Sequence, residues 1–580
     1  MEYPTLNVKQ KSRQMSDAFL GYNHNLRIAD GEFYDMKNMT SDYYPVLATR
    51  GKRGMYIERN YLNGIIAKND KLCYVQDQKF RIGKDTVDLD LDERPKNIIS
   101  MGAYVIIMPD KKYVNTNDLS DYGNIEATFV SIEDVKFELC NITGDLYTGA
   151  TISATAPESP KNMDMWIDTS SKPHTLKKYS EANEMWVAIA TTYIKISSKG
   201  IGKQFKQYDG VTISGIKSEA LASLNSSIAL WACDDDYIVV VGILDETTTQ
   251  TVDDGVITIV RNMPDMDFII ESENRLWGCR YGEDINGNFV NEIYASKLGD
   301  FRNWNCFMNL STDSYVASCG TDGHFTGAIA HLGYPLFFKE TCMHKVYGNY
   351  PANFQIQTIT CRGVQAGSGR SLAIVNETLF YKSRGAVCAY DGSLPVEVSS
   401  AFGNEQYANA VAGGHNNKYY ISMSDSSGEY HLFVYDTAKG MWHKEDNLKA
   451  EGFCSVLGEM YAIEGNHIIT MFGSGEKDSN KVPWMVETGL IGMSMPDMKY
   501  ISKLVIRMSL EVGASVNISV QYDSIGDWEP VCQMTSTSLR SFSVPIRPRR
   551  CDHFRIRIEG EGDGRIYSIT RTIEQGSDFS

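Results

Sequence analysis

The chain has 580 residues, 42% hydrophobic and 22% charged, a balance that excludes a disordered protein. Lys and Arg number 56 against 73 Asp and Glu, and the net charge of −17 excludes wrapping nucleic acid by counterion release. No run approaches the ~20 apolar residues of a membrane-spanning helix; the densest, 229–244, is interrupted by Asp234, Asp235 and Asp236.

The opening stretch, MEYPTLNVKQKSRQ, has no apolar core of a secretory signal. Residues 1–62 read as an N-terminal arm with strands that close the following domain. From 63 to about 473, short runs rich in Val, Ile, Tyr, Phe and Thr recur between Gly, Asn, Asp or Pro clusters, as at 98–108, 237–244, 255–260, 276–281, 336–339, 419–423 and 431–435. Helical patterning is confined to 217–224 and 405–411. The fold class is therefore all-β, since a TIM barrel or doubly wound fold needs helices between its strands.

The strands group into units of roughly 40–50 residues, the length of one four-stranded propeller blade. The segments 269–280, 329–339, 372–382, 410–423 and 453–463 each place apolar residues before a polar turn and an aromatic or large aliphatic strand after it. Each reads as a hairpin. Tyr390-Asp391-Gly392, and Tyr435-Asp436-Thr437 followed by Trp442, fit blades in which the ring packs between sheets and the Asp caps a turn. The expected architecture is a β-propeller of about five to seven blades, its first part at 63–140 and the remaining blades at 201–483. A small inserted β domain at 141–200 is polar between 157 and 193 and carries Trp166 and Trp186. From 484 to 580, alternation at 500–507, 515–522, 541–546 and 553–559 predicts a C-terminal β-sandwich with one face of each sheet buried.

No motif supplies a catalytic set: GxSxG and HExxH are absent. Gly367-Ser368-Gly369-Arg370-Ser371 and Gly473-Ser474-Gly475-Glu476-Lys477 are glycine-rich but neither is a phosphate loop opening a helix. Asp284, Asn286 and Asn288 have calcium-loop spacing, yet Phe289 stands where such a loop needs Gly and Asn286-Gly287 reads as a hairpin turn. The twelve Cys form no CxxC pair and read as reduced, buried thiols. His324, His331 and His344 have spacings that force no convergence. No cofactor and no metal are expected, and the chain reads as not an enzyme. The paired carboxylates of a glycosidase are a possibility that sequence leaves open; the nearest approach to a sialidase-type repeat, 523–528, has different spacing. Tyr522 and Trp528 serve equally as sugar-stacking or core aromatics. Arg547, Arg549, Arg550, Arg555 and Arg557 form a basic stretch in an acidic chain, with Arg555 and Arg557 expected on the solvent face of one strand, facing an acidic neighbouring subunit.

Three segments resemble bacteriophage virion proteins of the tail nozzle type (tail tubular protein B, or packaged-DNA stabilisation). The first runs from Gly31 through Glu32, Asp35 and Asn38 to Tyr44-Pro45-Val46-Leu47 and Arg50. The second is Glu273-Asn274-Arg275-Leu276-Trp277 with Ala295-Ser296 and Gly299-Asp300-Phe301. The third is Arg550-Cys551-Asp552-His553-Phe554 with 566–569; Met165-Trp166-Ile167-Asp168 in the insertion is similar to a phage tail module. The resemblance implies a structural ring on the tail axis, a cyclic oligomer with six copies expected. It docks on a portal or adaptor and on other tail proteins, and DNA passes through without specific binding. Residues 33–47 then tie the ring together, or form the first strand of the last blade. The implied location is the virion, after synthesis in the bacterial cytoplasm, with no membrane anchor. The alternative is a peripheral tail protein that binds a receptor or binds or processes glycan.

Overall fold

A computed structural model describes residues 10–576, apart from 60, 285–286, 474–475, 478–479 and 536–537, and gives only the backbone of 476–477. Strands dominate, and the helices among the described residues are five short 3-10 turns. None is long and apolar enough to cross a membrane. The helical pattern at 217–224 is one of these turns, Glu219–Leu224. The pattern at 405–411 is corrected: Ala408–His415 is a strand paired with Lys418–Ser424. Ala410 and Ala412 point inward together, a period of two rather than 3.6.

Seven antiparallel meanders follow one another along the chain. Six have four strands of their own, at 62–88, 97–124, 268–318, 327–360, 373–397 and 408–444. The seventh has three, at 452–470, and takes its fourth from Gly54–Glu58, which pairs with His467–Thr470. The first strands of consecutive meanders touch. Between the fourth and fifth the contact runs through the turn Gly369–Ser371, and Gly452–Val456 of the seventh meets Leu62–Lys68 of the first. The result is a closed, propeller-like ring of seven. The second strands, such as Tyr104–Met108, Tyr334–Phe338 and Thr378–Lys382, are buried along nearly their whole length. Each sheet lies between two others, so both faces need apolar side chains and the run is continuous rather than alternating. Both residues have positive φ at Asn69-Asp70, Glu273-Asn274 and Asn376-Glu377, the conformation of tight hairpin turns whose twist matches the strands. Asp436 caps its turn through the backbone N–H groups of Ala438 and Lys439, and Tyr435 packs on Trp442 at 4.9 Å.

Between the second and third meanders the chain leaves the ring from 125 to 263, wider than the 141–200 read from composition. Two sheets pack on Phe137, Ile196, Val211, Ile238 and Ile259. A third, 151–188, packs on Ile167 and Leu176. The outer parts of this excursion carry strand patterning like that of the ring, so the sequence does not set them apart.

The C-terminal strands form two facing sheets, and the N-terminal strands join both. Lys11–Ser16 and Leu47–Thr49 pair with Gly564–Gln575 in one sheet. Glu32–Lys37 pairs with Pro483–Thr488 in the other. Leu504, Ile506 and Ile569 of the first sheet and Val516, Ile518, Ile556 and Ile558 of the second make one core. Residues 33–47 therefore belong to this sandwich, and only Gly54–Glu58 closes the ring. The second sheet continues into the sixth meander, because Gly21–Tyr22 pairs with Trp442 on one side and with Glu32 and Phe33 on the other. One ten-stranded sheet thus runs from ring to sandwich.

Candidate functional site

Where the innermost strands of the ring begin, a recess of about 560 Å³ opens on its axis. It is lined from the first meander by Asn63, from the turn before the fifth by Gly367 and Arg370, from the sixth by Asn409 and Tyr430, and before the seventh by Lys449 and Glu451. Gly367 has φ +79, and a Cβ there would stand 3.1 Å from Asn409 Oδ1, so the absent side chain keeps this wall low. Arg370 donates from Nη1 to the Glu451 carbonyl at 2.9 Å. Desolvation by the surrounding strands lowers its pKa, and the Glu451 charge works against that shift. Lys449 is exposed and lies over the Tyr430 ring, 5.3 Å from its centroid. The glycine-rich run 367–371, no phosphate loop in sequence, is what carries Arg370 to the axis. Tyr430 and Lys449 gave no sequence signal, being single residues in separate turns.

The N-terminal signature residues lie at the junction of ring and sandwich. Asn38 donates to the Pro483 carbonyl at 2.7 Å and accepts from Arg50 Nε at 2.8 Å. Arg50 and Arg53 both reach Glu445 and Asp446 at the end of the sixth meander. Burial raises the Asp446 carboxyl, but the Arg53 and Arg50 guanidiniums outweigh it and hold the group below the usual carboxylate range. Glu32 accepts from the Ala29 N–H, Lys444 donates to Asp35, and Pro45 sits in the turn before Leu47–Thr49. The Arg50 and Asp35 contacts tie the N-terminal strands to the ring, while those of Glu32 and Pro45 are local.

Glu273, Asn274, Arg275, Trp277 and Ser296 surround one hairpin of the third meander. Arg275 is 2% exposed and donates to the carbonyls of Ser296, Ser311 and Asp313 at 2.8, 2.9 and 2.6 Å, which fixes the 296–314 loop. Ser296 Oγ accepts from the Leu276 N–H, and Trp277 is buried against Phe354.

The basic stretch divides. Arg555 and Arg557 alternate with buried Phe554, Ile556 and Ile558 on the outer face of their strand, where both clamp the buried carboxylate of Glu487, at 3.0 and 2.9 Å, on the neighbouring strand of the same chain. Arg555 also lies over Tyr34, and Arg557 over Trp528 at 4.1 Å, which fills the ring face that a sugar would take. Tyr522 is buried in the sandwich. Arg547, Arg549 and Arg550 are exposed, and Arg549 pairs with Glu529. Beside them, Ser524 Oγ bonds to His553 Nε2 at 2.8 Å and His553 Nδ1 to Asp552 at 2.9 Å. This is the order of a hydrolytic relay, but on an exposed hairpin tip, with Asp552 58% exposed. Its evident work is to staple the 523–524 turn to the strand entry at 552–553, which Asp523 does as well by accepting from the Asp552 N–H.

The Asp284 N–H donates to the Asn288 carbonyl and the Asn288 N–H to Asp284 Oδ1; Asn286 lies outside the described residues, as do Ser474 and Gly475. His331 bonds to the Glu377 carbonyl, His344 lies between Thr321 and Thr358, and His324 packs on Tyr281. Among the described residues no three His, Cys, Asp or Glu gather as metal ligands.

No family model and no curated protein matches the chain. Among solved structures it is similar to an exo-β-1,3-galactanase from Phanerochaete chrysosporium, at 10% identity over 52% of this chain and 94% of that one, TM-score 0.21. It is also similar to Trypanosoma rangeli sialidase, at 10% identity over 91% and 96%, TM-score 0.22. A third is an engineered GH43 glycoside hydrolase, at 8% identity over 54% and 98%, TM-score 0.20. The expectation that the chain is not an enzyme is corrected here and withdrawn, because the structures matched to it are glycoside hydrolases and a sialidase. At these TM-scores they bring no activity to this chain. None of the three concerns a phage tail protein.

Proposed function

We propose that this chain is a structural protein of a bacteriophage tail, assembling with copies of itself into a ring, a nozzle or connector on the tail axis that helps retain and channel the genome. The reading starts from the resemblance at 31–50, 273–301 and 550–569. The observation that supports it is mechanical: the ten-stranded sheet from ring to sandwich, with the Arg50 and Arg53 ion cluster beside it, joins the two bodies by continuous backbone pairing. A wall facing packaged DNA needs that stiffness, and a net charge of −17 keeps phosphates from sticking. Copies meet through heterologous contacts around the axis, six being the expected number, with exposed Arg547, Arg549 and Arg550 facing an acidic neighbour. The ring docks on a portal or adaptor.

Light scattering coupled to gel filtration tests it. A closed oligomer of fixed mass is expected. A monomer with no self-association at high protein concentration overturns the reading.

A second reading, glycan recognition or processing by a peripheral tail protein, is favoured by the axial recess with Arg370, Lys449 and Tyr430. Particle images separate the two: on the axis for the first, at the periphery for the second.

A further inference from the structure

The geometry points to the axial recess as a binding site for an acidic saccharide, one whose sugar ring bears a carboxylate. This rests on the second reading for the ligand being a glycan, and names its class.

Charge is the first ground. Arginines in the interior are matched: Arg53 by two carboxylates, Arg261 by Asp209, Arg571 by Asp30, Arg275 by three carbonyls. Arg370 is exposed and bonds to one carbonyl, that of Glu451, and among the described residues no carboxylate stands within ion-pair distance of it or of Lys449. Arg370 and Lys449 thus set two cations against the single carboxylate of Glu451 in the lining, in a chain of net charge −17. A guanidinium presents paired N–H donors that fit a planar carboxylate.

The rest of the lining suits a hydroxyl-rich ring. The volume of about 560 Å³ falls within the roughly 300–1,000 Å³ of small-molecule sites. Asn63 and Asn409 spend their amide N–H on the Glu93 carbonyl and on Ser424 Oγ, which leaves two amide oxygens as acceptors for sugar hydroxyls. A phosphate dianion is matched less well, since the helical segment at the recess, the 3-10 turn Gly369–Ser371, is a single turn with few aligned backbone donors.

Calorimetric titration of the full chain tests the inference with three probes: a tetrasaccharide alternating glucuronic acid and N-acetylglucosamine, its carboxyl-reduced neutral counterpart, and inorganic phosphate. Binding of the acidic probe is expected, at least tenfold tighter than the neutral one and weakened by salt. Arg370→Gln is expected to lose at least tenfold, Lys449→Gln less, with thermal unfolding unchanged because both side chains are exposed. Equal binding of acidic and neutral probes overturns the acidic class and leaves glycan recognition standing. Binding of neither sugar overturns both. Phosphate bound as tightly as the acidic sugar, or Arg370→Gln binding like the parent, overturns the site as drawn.

Discussion

Glu487 holds two guanidiniums at once, and it is the most buried of the three charges, at 7% exposure against 17% and 27% for Arg555 and Arg557. Glu487→Gln leaves both arginines half-matched between strands and is expected to destabilise the sandwich by about 3 kcal/mol, at the low end for a broken buried pair because the arginines reach water; urea denaturation measures it. His443 is a different kind of buried charge site. It is enclosed among Lys418, Asp436, Asp42 and Lys439, and burial, then the Lys418 charge, push its pKa down to about 3. The unfolded chain takes up a proton near pH 6.5 that the folded chain refuses, so stability falls as pH drops from 6.5 toward 3, by about 1.4 kcal/mol per pH unit once the unfolded group is protonated. His443→Gln is expected to flatten the loss between about pH 6.5 and 5 and to leave stability above about pH 7 with no new pH dependence, as followed by thermal melts. Neither site was legible in the sequence: an Arg-x-Arg strand and a lone His look solvent-facing until the partner strand is in place, and Glu487 stands some 70 positions from Arg557.

At the scale of elements, the seam between ring and sandwich depends on a two-residue strand. Gly21 has φ +87, and a Cβ there would meet the Trp442 carbonyl at 2.3 Å. Gly21→Ala has to strain the backbone or push Gly21–Tyr22 off Trp442, which opens the ten-stranded sheet at its middle. The expected cost is about 2–4 kcal/mol, and calorimetry should show the single transition of the parent split into two, one for each body. A single transition at the parental temperature would show that the seam does not couple them. The hairpins are where sequence reasoning worked: apolar run, polar turn and aromatic strand at 269–280 and 372–382 became the first two strands of the third and fifth meanders. It worked because a tight turn and its two strands are specified within a dozen residues.

For the whole molecule, local sequence carried the all-β class: short strands, turn residues at regular spacing, continuous apolar runs in second strands and alternation in the sandwich. Each of these follows from which faces of a strand are buried, and burial alone sets the pattern of side chains. Only the tertiary structure decided the destinations. Lys11–Ser16 pairs with Gly564–Gln575 across more than 500 positions, and Gly54–Glu58 with His467–Thr470. It also decided the axial recess, assembled from turns of four meanders around Arg370. The reason is physical: a strand's side chains declare the faces it hides, while its edges, where partners are chosen, are backbone groups that every residue shares.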